Sequence, residues 1–160
     1  MTDGQDAHAP AVPDCAARLG RGPSPAGERF AVVLNCIDGR TQQALIEWVQ
    51  RELDVTHVDV VTEPGVDRVL ARGEAATVQA LLDKVCVSRL AHGAVAVIVA
   101  GHHDCAANPG DAEHHLGDVT GGVATMRPLL PEMPVHGVYV DDTWQVLAVP
   151  SPDAAQESAA

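Results

Sequence analysis

The sequence has little of three things: aromatic residues, positive charge and long apolar runs. Aromatics make up 2% of the 160 residues, with one Phe, one Tyr and two Trp. A core must therefore be built from Val, Leu, Ile and Ala. Ten Lys and Arg face 22 Asp and Glu, for a formal charge of −12. Nucleic-acid binding draws most of its affinity from Lys and Arg on phosphates, so this balance argues against such a partner. It argues equally against an anionic membrane surface. No apolar run approaches the roughly 18 residues of a membrane span. The acidic opening MTDGQDAHAP lacks the apolar stretch of a secretory leader, so a cytoplasmic protein is expected. G-x-S-x-G, Walker and G-x-G-x-x-G patterns are missing too, which leaves triad hydrolysis, P-loop chemistry and dinucleotide binding without support.

What is present describes a globular domain. Hydrophobic residues are 46% and charged residues 20%, a soluble and ordered composition. The length suits one domain, on a prior of roughly 100–200 residues each. Cys15, Cys36, Cys86 and Cys105, in a chain expected to be cytosolic, favour metal binding or reactivity over disulfides. Eight histidines point the same way.

Residues 1–28, rich in Ala, Pro, Gly and Asp, read as a flexible arm with a short helix around Asp14–Leu19. Residues 150–160 read as a disordered tail. Between them lies one domain, 29–149, in which apolar runs alternate with helical periods. Phe30–Ile37 and Val95–Ala100 read as strands buried on both faces. Val55–Thr62 reads as another, ended by the Pro64-Gly65 turn signal. Thr41–Leu53 has helical spacing with Thr41 as its N-cap. Glu74–Ala91 carries an apolar stripe and stops at Gly93. A weaker helical segment covers Ala112–Leu130. Val135–Val140 and Trp144–Val149 read as strands joined at Asp141-Asp142. Strands alternating with helices imply parallel βαβ units, hence an α/β fold: a three-layer sandwich around a mostly parallel sheet.

In such sheets ligands sit beyond the carboxyl ends of the strands, where neighbouring connections leave to opposite faces. Two segments lie there, Cys36-Ile37-Asp38-Gly39-Arg40 and Gly101-His102-His103-Asp104-Cys105. If the two strands are neighbours, Cys36, His102 and Cys105 form a set of two thiolates and one imidazole. That set suits Zn2+ with one coordination position open, the pattern of a catalytic site. Asp38 and Arg40 stand close enough to orient what binds there.

Other residues carry blander readings. Cys86 is expected to pack in the core, and Cys15 to have no structural role. His114 and His115 are expected on a helix face or in solvent, and Trp48 and Trp144 in the core. Thr120-Gly121-Gly122 is expected to be a loop or N-cap.

Cys36-x-Asp38-x-Arg40 with His102-x-x-Cys105 resembles the paired signature of the β-class carbonic anhydrases. The gap between the two motifs and the closing strands across 135–149 are similar as well. The resemblance spans roughly residues 30–149. It implies a Cys-His-Cys zinc site at Cys36, His102 and Cys105, with Asp38 and Arg40 as the catalytic dyad. It also implies reversible hydration of carbon dioxide to bicarbonate by attack of zinc-bound hydroxide, and a homodimer or higher assembly. Thr62-Glu63-Pro64-Gly65 stands where the family has an Arg-Asn-Ala-Gly-like segment, and His103-Asp104 where it has small residues. These departures leave two alternatives: a zinc-binding regulatory protein without turnover, or a hydrolase of carbonyl sulfide or carbon disulfide. A proton-shuttle role for His103 is an expectation from proximity alone.

Overall fold

The structure, a computed structural model, describes residues 26–151. The expected arm and tail lie almost wholly outside those residues, and with them Cys15 and the segment Asp14–Leu19. Ten segments of regular structure follow one another. They are β1 (Phe30–Asn35), α1 (Gly39–Leu53), β2 (His57–Thr62), α2 (Val66–Arg72), α3 (Ala75–His92), β3 (Val97–His102), α4 (Ala112–Met126), a 3-10 turn (Arg127–Leu129), β4 (Val135–Val140) and β5 (Val146–Val149).

The strands form one sheet in the order β2-β1-β3-β4-β5. The first four are parallel and β5 runs antiparallel to β4. Side chains alternate across the pleat, so each central strand feeds two cores. Val32, Leu34, Val97, Val99 and Val135 pack with α2, α3 and α4 on one face. Ala31, Val33, Ile98, Ala100, Val138 and Val140 pack with Leu45 and Val49 of α1 on the other, edged by Trp48 and Trp144. The expected three-layer α/β sandwich is thus present, with aliphatic residues filling both layers.

β1 and β3 are direct neighbours, registered Val32 with Val97 and Leu34 with Val99. The chain leaves β1 for α1 on one face and leaves β3 for α4 on the other. The crevice between their carboxyl ends is the switch point of the sheet. Both motif segments open there.

Four local expectations need correction. The first strand ends at Asn35, and Ile37 is exposed. The α1 N-cap is Asp38, whose side chain accepts from the Arg40 N–H, because the Thr41 hydroxyl is taken. Thr41 Oγ1 is buried, accepts from Asn35 Nδ2 at 2.9 Å and donates to the Asp38 carbonyl at 2.9 Å. Thr120-Gly121-Gly122 lies inside α4. A Cβ on Gly122 would stand 3.1 Å from Leu70 Cβ and 3.2 Å from Val99 Cγ1. Glycine there lets α4 seat closely on α2 and β3, and does not break the helix. The two strands over 135–149 are present, but β5 begins at Val146 and Trp144 belongs to the turn.

Helix α2 is an addition to the expected set. Its seven residues lie between Gly65 and Gly73, both left-handed, with φ of 61° and 64°.

Candidate metal centre

Cys36 is the first residue past β1, His102 is the last of β3, and Cys105 follows after a two-residue turn. All three are buried, at 5%, 2% and 3% exposure. Their sulfurs are 3.9 Å apart, and the two sulfurs and an imidazole nitrogen lie within 4.8 Å of one another. They are the group of three metal-competent side chains that converges among the described residues. Cys36 and Cys105 are also the free cysteines there. Cys86 is buried on α3 and stands outside this group, and it is disulfide-bonded, which corrects for this residue the expectation of cysteines without disulfides.

The imidazole is oriented for ligation. His102 Nδ1 lies 2.7 Å from the His103 carbonyl oxygen, which can only accept. Nδ1 therefore carries the proton, and Nε2 presents a bare lone pair. That Nε2 is buried with no hydrogen-bond partner, a costly arrangement for a polar atom unless something binds it. Two thiols and an unsatisfied imidazole nitrogen, buried together, fit a borderline-soft cation. The group can hold a metal ion.

Burial is the main cause that pushes the Cys105 thiol above its usual range, and the neighbouring Cys36 adds to it. The N–H groups of Ala107 and Asn108 pull the other way. The thiol is therefore protonated at neutral pH, and a metal must displace that proton to gain a thiolate. Metal affinity should then rise by about tenfold per pH unit through neutrality for the Cys105 proton. Chelator competition at several pH values measures this, and an affinity independent of pH would contradict it.

Beside the tripod, Asp38 and Arg40 form a bidentate pair. Arg40 Nε donates to Asp38 Oδ1 and Oδ2 at 3.0 and 3.1 Å, and Nη2 donates to Oδ2 at 2.6 Å. These side-chain bonds are the chief reason the Asp38 carboxyl is lowered to about 2, against an opposing effect of burial. Arg40 itself is pushed up by Asp38 and Asp104. Asp104 is a partner that sequence reading missed. Its Oδ2 accepts from Arg40 Nη1 at 3.1 Å and its carbonyl from Nη2 at 3.3 Å. The only trace in the sequence is an acid inside the His-x-x-Cys turn. His103, the expected shuttle, is exposed, with its N–H bonded to the Val140 carbonyl at 2.8 Å.

A second polar group supports the turn that carries Cys105. Asn108 N–H donates to the Cys105 carbonyl at 3.2 Å. Its side-chain Nδ2 donates to Asp67 Oδ2 at 3.1 Å and Asp118 Oδ2 at 2.9 Å, and its Oδ1 meets His114 Nε2 at 2.8 Å. His115 Nδ1 bonds Asp67 Oδ2 at 2.7 Å. The expectation of a solvated His115 is wrong: it is fully buried. Gly101 makes room for this group, since a Cβ there would stand 2.9 Å from Asp67 Oδ2. Asp67→Ala would leave His115 Nδ1 and one Asn108 bond without an acceptor in a closed interior. The expected loss is about 2–4 kcal/mol of folding stability, read by urea denaturation. A loss below about 1 kcal/mol would mean that water or a neighbour replaces the carboxylate.

Among the described residues no helix is long and apolar enough to cross a membrane. No curated protein matches the chain. A family profile described as "putative carbonic anhydrase" matches residues 26–150, nearly all of the described chain.

Proposed function

We propose that this chain, which belongs to the carbonic anhydrase family whose profile it matches, catalyses reversible hydration of carbon dioxide to bicarbonate and a proton. Cys36, His102 and Cys105 would hold the Zn2+ that this reaction requires. The observation that carries the reading is the buried sulfur, sulfur and nitrogen set within 4.8 Å, placed beside an Asp–Arg pair at the switch point. A zinc ion bound there supplies a Lewis acid that brings the pKa of a water to about 7, and so a nucleophile at neutral pH.

The chain's own residues act around that chemistry. Asp38, held to about 2 by Arg40, is ionised throughout the neutral range and accepts hydrogen bonds only. It is an orienting acceptor there and is too weak a base to take up the proton. Arg40 fixes both oxygens of Asp38 in place. Without that grip the carboxylate is free to turn toward the cation site and close it. His103, exposed on the turn, is the group available to pass a proton to buffer.

A second copy of the chain belongs to the same reading. Among the described residues β2 ends the sheet, and a strand edge calls for a cover.

The test is a carbon dioxide hydration assay and a metal determination on the same sample. Turnover that scales with zinc content supports the reading. Full zinc occupancy without turnover refutes it and leaves a metal-binding protein of the same fold.

A further inference from the structure

The turn between β4 and β5 is closed tightly around Asp141. Its backbone N–H donates to the Gln145 carbonyl at 2.9 Å, and its carbonyl accepts from the Trp144 N–H at 3.0 Å. Its Oδ1 accepts from the N–H groups of Thr143 and Gln145, each at 2.9 Å, and from the Thr143 hydroxyl at 2.7 Å. This geometry puts Trp144 in the left-handed region at φ 62°. A turn of this kind takes glycine at that position, and a residue as bulky as Trp is an outlier there. Backbone outliers of this sort gather at functional sites.

The indole side chain reaches Arg40 and His103, beside the metal centre. The Arg40 guanidinium carbon lies 4.8 Å above its ring centroid, and the His103 ring meets it edge-on at 6.5 Å. The edges of the same guanidinium are already used by Asp38 and Asp104. Trp144 takes the face that remains. An Arg whose side chain is 48% exposed would otherwise exchange easily between its carboxylate partners and water. A cation over an aromatic face is attracted to the ring quadrupole, and Trp is the strongest such partner.

We propose that Trp144 is a positioning residue of the site: its indole clamps Arg40, and Arg40 in turn fixes Asp38. The consequence for catalysis rests on the carbon dioxide reading above, whereas the clamp itself does not.

Three variants of the full chain separate the clamp from simple packing. Trp144→Leu keeps apolar bulk and the left-handed backbone but has no π face. Trp144→Phe keeps a face. Trp144→Gly relaxes the backbone and removes the side chain. The first readout is hydrogen exchange of the Arg40 Nε–H by 15N NMR, which needs neither metal nor turnover. The Leu and Gly variants should exchange roughly two- to fivefold faster than wild type, with Phe near wild type. The second is turnover of the zinc-loaded protein. A fall in kcat of similar size in Leu and Gly, with KM little changed, is expected.

Wild-type exchange in both Leu and Gly would overturn the clamp. Faster exchange with unchanged kcat would overturn its role in catalysis. A wild-type protein without turnover would refute the carbon dioxide reading, while the exchange measurement would still decide the clamp.

Discussion

Cys36→Ser and Cys105→Ser should each strip the protein of most of its metal while leaving the sheet folded. The two thiols supply both the charge and the softness of the site. A serine hydroxyl offers neither, since it does not ionise at neutral pH and is a hard donor. Losing an outer partner of a metal ligand costs roughly 10–100-fold in affinity, and losing a ligand itself should cost more. Cys36 lies just past β1 and Cys105 within the turn after β3, so neither change removes a large apolar side chain from the two cores. Metal content by elemental analysis, with circular dichroism on the same samples, measures the outcome. Full occupancy in both variants would refute the site.

Asp38→Ala and Arg40→Ala should instead retain the metal and lose turnover by roughly 10–100-fold, the usual effect of removing a group that orients a metal site. The two changes act through one geometry. Asp38 is held by its two-oxygen contact with Arg40, so removing either residue removes the oriented acceptor. Effects within such a pair are not additive. The double variant should therefore lose little more than either single one. Asp38→Ala also removes the side-chain cap of α1, at a cost of about 1 kcal/mol in stability. Arg40→Ala leaves the cap in place and is the cleaner kinetic test. Wild-type turnover in both variants would remove the dyad from the mechanism.

The metal-competent set was legible in the sequence because its residues follow two apolar runs. Read as Phe30–Ile37 and Val95–Ala100 and found as Phe30–Asn35 and Val97–His102, these runs are short, apolar and bounded, and the chemistry of an α/β sheet collects where such strands end. The sequence alone places Cys36, His102 and Cys105 there. It does not place the residues that surround them. Asp104 reaches Arg40 because β1 and β3 are neighbours and their end turns meet, and Trp144 because the β4–β5 turn folds over the same place, contacts between segments far apart along the chain. His115 looked like a solvated imidazole because its partner, Asp67, sits on α2, a seven-residue helix too short to show a period. Thr120-Gly121-Gly122 reads as a loop or N-cap because glycine usually stands outside helices. Here the demand is for closeness to Ala71, Leu70 and Val99, and that is a tertiary fact. Local pattern fixed the strands and the long helices, while approach distances decided the exceptions.

The account's central claim is that Cys36, His102 and Cys105 hold zinc, and X-ray absorption at the zinc edge tests it most directly. The wild-type protein should show two sulfur scatterers at about 2.3 Å and nitrogen or oxygen scatterers at about 2.0–2.1 Å, with about one zinc per chain. A zinc shell without sulfur would contradict the claim and the proposed function with it.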